Sequence, residues 1–337
     1  MNKILIVDFS PFYIRHLFSS LTYAKNTLKL KPVDGIYDFN EFKDVFIFKV
    51  FDDLKNFKGK FKIDEIVLGV DTPKYWRKDF WDGYKYGRVK SQELDWDKVF
   101  ETVQEILDVL EENTHIKVIR QKGAEGDDVA FVLSEHLCKD NEIIIQSLDH
   151  DLVYCTLNEN TKYWQTKFTT KDKSCAFVTN TIDEINELKF EHCFYGDKGD
   201  YILPVTAYTV LSDKCKEIYP DLTPEKIYPK RHSFDVKFTE KYGVSAFKQP
   251  RFGKKSFEKK MKKEGITHKD FMKQNPIHIL NFKLNKKISL PEGIPDNIRN
   301  NIIDAYNSAP SELNPGEMTQ YFMKYQLVNL IGIIGLL

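Results

Sequence analysis

Apolar and polar positions fall into two regimes along this chain. Up to about residue 180, short unbroken apolar runs alternate with longer stretches of helical spacing. The runs are 3–7 (Lys-Ile-Leu-Ile-Val), 65–70 (Glu-Ile-Val-Leu-Gly-Val), 116–119 and 143–146. The first is β-branched and lacks alternation, the pattern of a strand buried on both faces; the second reads as another buried strand, and the other two as the third and fourth strands. Between them, residues 39–57 (Phe42, Val45, Phe46, Val50, Leu54), 97–111 (Val99, Val103, Ile106, Leu107, Leu110) and the segment after Asp127 (Val129, Phe131, Val132, Leu133, Leu137) predict amphipathic helices. Residues 163–168 and 176–179 predict further strands or a hairpin. This order predicts an α/β fold with a mostly parallel central sheet flanked by helices. From about residue 182 the pattern is helical: 182–195, 202–219 with Pro204 in its first turn, 298–306 after Ile294-Pro295-Asp296, and 318–330. The expected division is an α/β domain at 1–182 and a smaller helical domain at 183–337, with a helix-turn-helix hairpin at 183–219. There is no internal repeat and no low-complexity linker.

Each predicted strand ends in acid. Asp8 ends the first and Asp71 follows the second. Gly-Ala-Glu-Gly-Asp-Asp follows the third, carrying Glu125, Asp127 and Asp128, and Ser-Leu-Asp-His-Asp follows the fourth with Asp149 and Asp151. In open parallel sheets, ligands bind outside the carboxyl ends of the strands. Singly, these acids have ordinary readings. Asp8 can cap the next helix, although Ser10 can do that instead, and acids favour a helix N-terminus. Together they favour a metal site, because converging carboxylates repel one another unless cations sit among them. His150 lies between two of the acids and is given no role. Gly196-Asp197-Lys198-Gly199-Asp200 adds two more acids in what is, alone, an ordinary turn.

Residues 74–98 mix basic and aromatic side chains: Tyr75, Trp76, Arg77, Lys78, Phe80, Trp81, Tyr84, Lys85, Tyr86, Arg88 and Lys90. This is the composition of a single-strand contact surface; it is also that of a surface helix whose aromatics face the core. Asp71 immediately before the segment favours the contact reading. Residues 241–263 carry nine Lys/Arg and one acid, Glu258, which makes either a solvated face or a surface that tracks a duplex backbone.

Overall charge balances at 50 basic and 50 acidic residues in a chain of 337. The first 182 residues carry 26 basic and 30 acidic residues and the remainder 24 and 20, so acidity sits with the half holding most of the acid-tipped strands only slightly. Five widely spaced cysteines with no C-x-x-C pair point to reduced thiols and away from a Cys zinc site. The first residues lack the pattern of a signal peptide. The apolar tail from Leu327 is too short to span a bilayer. A cytoplasmic protein with no membrane partner is expected. The tail is either a packed terminal helix or a docking peptide.

The order Asp8, Asp71, Glu125-x-Asp127-Asp128, Asp149-x-Asp151 and Gly196-Asp197-x-x-Asp200 resembles the flap endonuclease and 5′-nuclease superfamily, and within it the phage ribonuclease H group. Tyr75-Trp76-Arg77-Lys78-Asp79-Phe80, Tyr84-Lys85, Ile294-Pro295-Asp296-Asn297-Ile298, Tyr306-Asn307-Ser308 and the segment 316–327 are similar to the same group. The resemblance covers nearly the whole chain and is weakest over 205–265. It implies a nuclease that cuts near the 5′ ends of duplexes, flaps and nicks in DNA or RNA–DNA and removes RNA primers in phage replication, inside the host cell. It implies two Mg²⁺ ions, with Mn²⁺ as a substitute. Asp8, Asp71, Asp127 and Asp149 would form the first metal site, and Asp151, Asp197 and Asp200 the second, supported by Glu125 and Asp128. Residues 74–98 would form a helical arch in which Arg77 and Lys85 grip the scissile phosphate and Tyr84 stacks on the terminal base. Lys78 and Arg88 would add nucleic-acid contacts. A monomer is expected, with a single-strand-binding protein and a sliding clamp as candidate partners. One departure stands out: Gly199-Asp200-Tyr201-Ile202-Leu203-Pro204-Val205 is not followed by the Gly-x-Gly of cellular relatives, so duplex binding would be built differently, through Lys254, Lys255 and Lys259 of the lysine run.

Two other classes compete. One is a non-catalytic, structure-selective DNA-binding relative, which the full acid set disfavours. The other is a haloacid-type phosphatase, whose chemistry wants Asp-x-Asp directly after the first strand, where this chain has Asp8-Phe9-Ser10.

Overall fold

The computed structural model describes residues 1–166, 175–228, 230–248, 253–310 and 312–337. Along the chain run β1 (Asn2–Asp8), α1 (Phe9–Asn26), α2 (Lys43–Phe61), β2 (Glu65–Gly69), α3 (Arg77–Phe80), α4 (Trp96–Asn113), β3 (Lys117–Ile119), α5 (Gly126–Leu137), β4 (Asn141–Ser147), β5 (Thr161–Thr166) and β6 (Cys175–Val178). There follow α6 (Ile182–Tyr195), α7 (Asp213–Ile218), α8 (Arg231–Tyr242), α9 (Lys254–Glu264), α10 (His268–Lys273), α11 (Pro276–Ser289), α12 (Asp296–Ser308) and α13 (Pro315–Lys324). The chain divides into two compact units: 1–73 with 90–180 and 296–337, and 74–89 with 181–295. The expected division at 182 is therefore corrected twice. Residues 74–89 of the basic-aromatic segment belong with the helical unit, and the C-terminal residues belong with the sheet.

Among the described residues the sheet unit holds six strands in the order β3-β2-β1-β4-β5-β6. β1 pairs in parallel with β2 and with β4, β2 with β3, and β4 with β5. Only β6 runs antiparallel, closing the hairpin with β5. Of the strand expected at 163–168, the last two residues lie outside the described set. Ile4 to Val7 of β1 are all buried, as a central strand with helices on both faces requires. α4 starts where the Asp95 carboxylate accepts from the Asp97 N–H at 3.2 Å, and it buries Val99, Val103, Ile106, Leu107 and Leu110 along one stripe.

The C-terminal segment completes this core. α13 sets Phe322 edge-on against Phe51 of α2, ring centroids 5.0 Å apart. Helical hydrogen bonding stops at Lys324, so the helix expected to run on to residue 330 is corrected. A 3₁₀ stretch over Val328–Leu336 takes its place. Leu327, Leu330, Ile333, Ile334 and Leu337 are buried in the same hydrophobic cluster as α1 and α2. These side chains are core, and the docking-peptide reading of the tail is set aside.

In the helical unit, the helix expected over 202–219 is also corrected: only α7 within it is helical, begun by Ser212, whose Oγ accepts from the Cys215 N–H. The preceding stretch is held open by α11. The Asn285 amide donates to the carbonyls of Cys193 and Leu203, and the Asn281 amide donates to those of Val205 and Ala207, all at 2.8–2.9 Å. Side-chain donors on these carbonyls compete with local helical bonds. Tyr201 and Tyr208 take positive φ there. Cys138, Cys155, Cys193 and Cys215 are buried. No helix is long and apolar enough to cross a membrane among the described residues.

Candidate active site

Parallel register places the acids of the sheet unit. Asp8 is level with Gly69 of β2, two residues before Asp71. Val7 is level with Gln146 of β4, so Asp8 lies beside Ser147. The Ser147 hydroxyl donates to Asp8 Oδ2 at 2.9 Å. Asp8 occupies the N-cap position of α1 without a side-chain capping bond. Ser10 lies inside α1, so the reading of Ser10 as the cap is corrected.

The N-terminus of α5 lies on the ends of β1 and β2. The approach needs glycine on both sides. A Cβ at Gly126 would lie 2.7 Å from Asp8 Oδ1 and 2.8 Å from the Gly69 carbonyl oxygen, and a Cβ at Gly69 would lie 2.7 Å from the Gly126 carbonyl oxygen. Asp71 Oδ1 accepts from the Gly126 N–H at 2.6 Å, and Asp128 Oδ2 accepts from the Glu125 N–H at 3.0 Å. These acids satisfy amides that the first helical turn leaves without a partner. The ordinary helix-start reading thus holds for Asp128, and it coexists with clustering. One oxygen from each of Glu125, Asp127 and Asp128 lies within 4.8 Å of the other two, and Glu125 and Asp128 are buried.

Past β4, Asp149 opens a 3₁₀ turn by accepting from the Asp151 N–H at 3.0 Å. Asp149, His150 and Asp151 form a second group with metal-ligand spacing. His150, given no role from sequence, brings Nε2 to 3.3 Å of the Asp151 carboxylate from an exposed position. The donor set of this end of the sheet unit is otherwise carboxylate oxygen throughout, which fits a hard divalent cation better than zinc or copper. Gly69, Gly126, Ser147 and Tyr163 were not found from sequence. The one signal for them was a glycine ending an apolar run and another inside Glu-Gly-Asp-Asp.

Gly126→Ala should strain this junction. With backbone or Asp8 forced to move, a loss of about 1–3 kcal/mol is expected, as for other overpacked sites. Thermal denaturation and Mn²⁺ titration together would register it, and a variant unchanged in both would show that the approach is not tight.

Residues 3–185 match the family model described as 5′-3′ exonuclease, N-terminal resolvase-like domain. The chain belongs to this 5′-3′ exonuclease family. It is 27% identical over 285 residues to the ribonuclease H of Enterobacteria phage T4, an alignment covering 80% of this chain and 78% of that protein. Its fold is similar to the crystal structure of the T5 D15 protein co-crystallised with metal ions, with a TM-score of 0.50 at 13% identity over 92% of this chain and 100% of that one.

The helical unit of this exonuclease-family chain holds the remaining candidates, and several are placed differently from expectation. Tyr84 is 2% exposed and packs with Trp81, Tyr208 and Leu211, so its ring is not presented to a terminal base. Its hydroxyl donates to Asp200 Oδ2 at 2.9 Å. Arg77 is 3% exposed, and its Nε donates to the Ile288 carbonyl at 2.8 Å; it does not stand at the surface to meet a phosphate. Arg88 is ion-paired with Asp200 Oδ1, which engages the cation expected for nucleic acid and both oxygens of an acid expected for the second metal. For Tyr84 and Arg77 the reason is the same. Basic and aromatic residues in a short segment read alike whether the rings face out or in, and here Trp76, Trp81 and Tyr84 face in. Asp197 Oδ1 accepts from the Gly199 N–H at 2.7 Å, shaping its turn. Lys254 pairs with Glu191. Lys78, Lys255 and Lys259 are exposed and Lys85 is half-buried; the Lys85 ammonium sits 5.0 Å from the Tyr75 ring centroid. α9 buries Phe257 and Met261 and leaves its lysines outside.

Proposed function

We propose that this chain is a divalent-metal-dependent 5′-nuclease, a 5′-3′ exonuclease and flap endonuclease acting on DNA and RNA–DNA duplexes, flaps and nicks, and that it removes RNA primers in phage DNA replication. The observation that carries the reading is the carboxylate set of the sheet unit. Asp8, Asp71, Glu125, Asp127, Asp128, Asp149 and Asp151 all stand at the carboxyl ends of β1, β2 and β4 or at the N-terminus of α5, in a family of exonucleases. The phage relative named ribonuclease H supports the RNA-directed part of the proposal.

Asp8, Asp71, Asp127 and Asp149 would hold the first of two Mg²⁺ ions, with Mn²⁺ able to substitute. Hydrolysis of a phosphodiester needs an activated water and a stabilised leaving oxygen, which bound divalent ions supply. The protein's part is placement. Ser147 fixes the Asp8 carboxylate, the α5 amide fixes Asp71, and Asp128 closes the helix start so that Asp127 is presented from a rigid turn. Asp151 would serve the second ion. Asp200 is not assigned to it, since Tyr84 and Arg88 already engage its oxygens. Lys78, Lys85, Lys255 and Lys259 would meet phosphates, a sequence-independent contact that weakens as salt rises.

A 5′-labelled flap oligonucleotide tests the reading. Cleavage near the flap base with Mg²⁺, abolished by EDTA, is expected. Tight flap binding without metal-dependent cleavage would leave the structure-selective binding protein instead. Matched RNA-primed and DNA-primed duplexes in the same assay would show which the enzyme prefers.

A further inference from the structure

Asp149 is gripped through its backbone by two buried hydroxyls. On one side its N–H donates to Ser147 Oγ at 3.0 Å, the same hydroxyl that donates to Asp8 Oδ2. On the other side the Tyr163 hydroxyl donates to the Asp149 carbonyl oxygen. Tyr163 comes from β5, level with Ile145 of β4, and reaches forward past the strand end. Both Ser147 and Tyr163 are 0% exposed. A phenylalanine would fill the same space without the cost of burying a hydroxyl. What the hydroxyl adds is one strut on the peptide that carries the Asp149 carboxylate.

We infer that Tyr163 is a positioning residue of the metal site: its hydroxyl, opposed by Ser147, fixes the Asp149 peptide and thereby the aim of the Asp149 carboxylate. The inference rests on the reading of Asp149 as a metal ligand. The Asp149 side chain in turn accepts from the Asp151 N–H, so the same strut sets the start of the turn bearing the next acid. Groups that orient ligands in this way typically account for about 10–100-fold in metal affinity or activity.

The test uses the full chain and Mn²⁺ as the probe, titrated by calorimetry, with Tm and flap cleavage measured alongside. Tyr163→Phe should weaken Mn²⁺ binding by about tenfold and lower kcat on the flap with KM unchanged. Trp164→Phe is the control. Its neighbour ring points to the opposite face, against Phe61 and Phe177, so it should lower Tm without weakening Mn²⁺. Asp149→Asn reports the underlying reading. If Asp149→Asn loses Mn²⁺ while Tyr163→Phe binds it like the wild type, Tyr163 has no positioning role and the metal reading stands. If Asp149→Asn itself binds Mn²⁺ normally, the ligand assignment fails, and the inference with it. Equal weakening by Trp164→Phe at a matched loss of Tm would reduce the effect to general destabilisation and overturn the proposal.

Discussion

Asp149→Asn should cut flap cleavage by roughly 10²–10⁴-fold, the range seen when a group acting directly on the reacting centre is disabled, while flap binding stays near the wild-type level. The substitution is chosen for what it keeps. Asparagine matches aspartate in shape, and its side-chain oxygen can still accept from the Asp151 N–H. The backbone contacts to Ser147 and Tyr163 do not involve the side chain. The turn is therefore retained and only the charge is lost. The lysines proposed to meet phosphates, such as Lys255 and Lys259 of α9, are untouched by the substitution. Binding and cleavage measured on one labelled flap separate the outcomes: parallel loss of both would assign Asp149 a folding role.

Removing residues 327–337 should prevent the sheet unit from folding. Five aliphatic side chains in that stretch are 1–8% exposed, and each contributes about 1.5–3 kcal/mol when fully buried. The total is an upper figure, yet it matches the whole stability of a typical domain, about 5–15 kcal/mol. Loss of the near-ultraviolet circular dichroism signal and of cooperative melting is expected. A truncated protein that kept its Tm and lost only binding to a sliding clamp would return the tail to the role of a docking peptide.

β1, β2 and β4 were legible in the sequence because they are built on apolar runs, and the acids of the sheet unit were legible because they follow predicted strands. What escaped depends on distant partners. Nothing in Leu203-Pro204-Val205-Thr206-Ala207 announces that Asn281 and Asn285 will take its carbonyls, so a proline-led helix was the natural expectation. Nothing in the basic-aromatic segment distinguishes Tyr84, which turns inward onto Asp200, from Tyr86, which is 54% exposed. Hydroxyls are silent in a hydrophobic pattern, so Ser147 and Tyr163 passed as strand residues. α12 and most of α13 were legible as helices, but periodicity carries no information on which unit a helix joins.

That last point bears on how the protein is made. The sheet unit is interrupted in sequence by residues 181–295 and closes only with 296–337. Synthesis proceeds from the first residue at about 5–20 residues per second, so roughly 8–30 s separate the emergence of residue 180 from that of residue 337. Throughout that interval the apolar faces of α2 and α4 lack their cover. The nascent chain thus exposes apolar surface until synthesis has passed the tail, and its carboxylates remain on an unfinished scaffold until then.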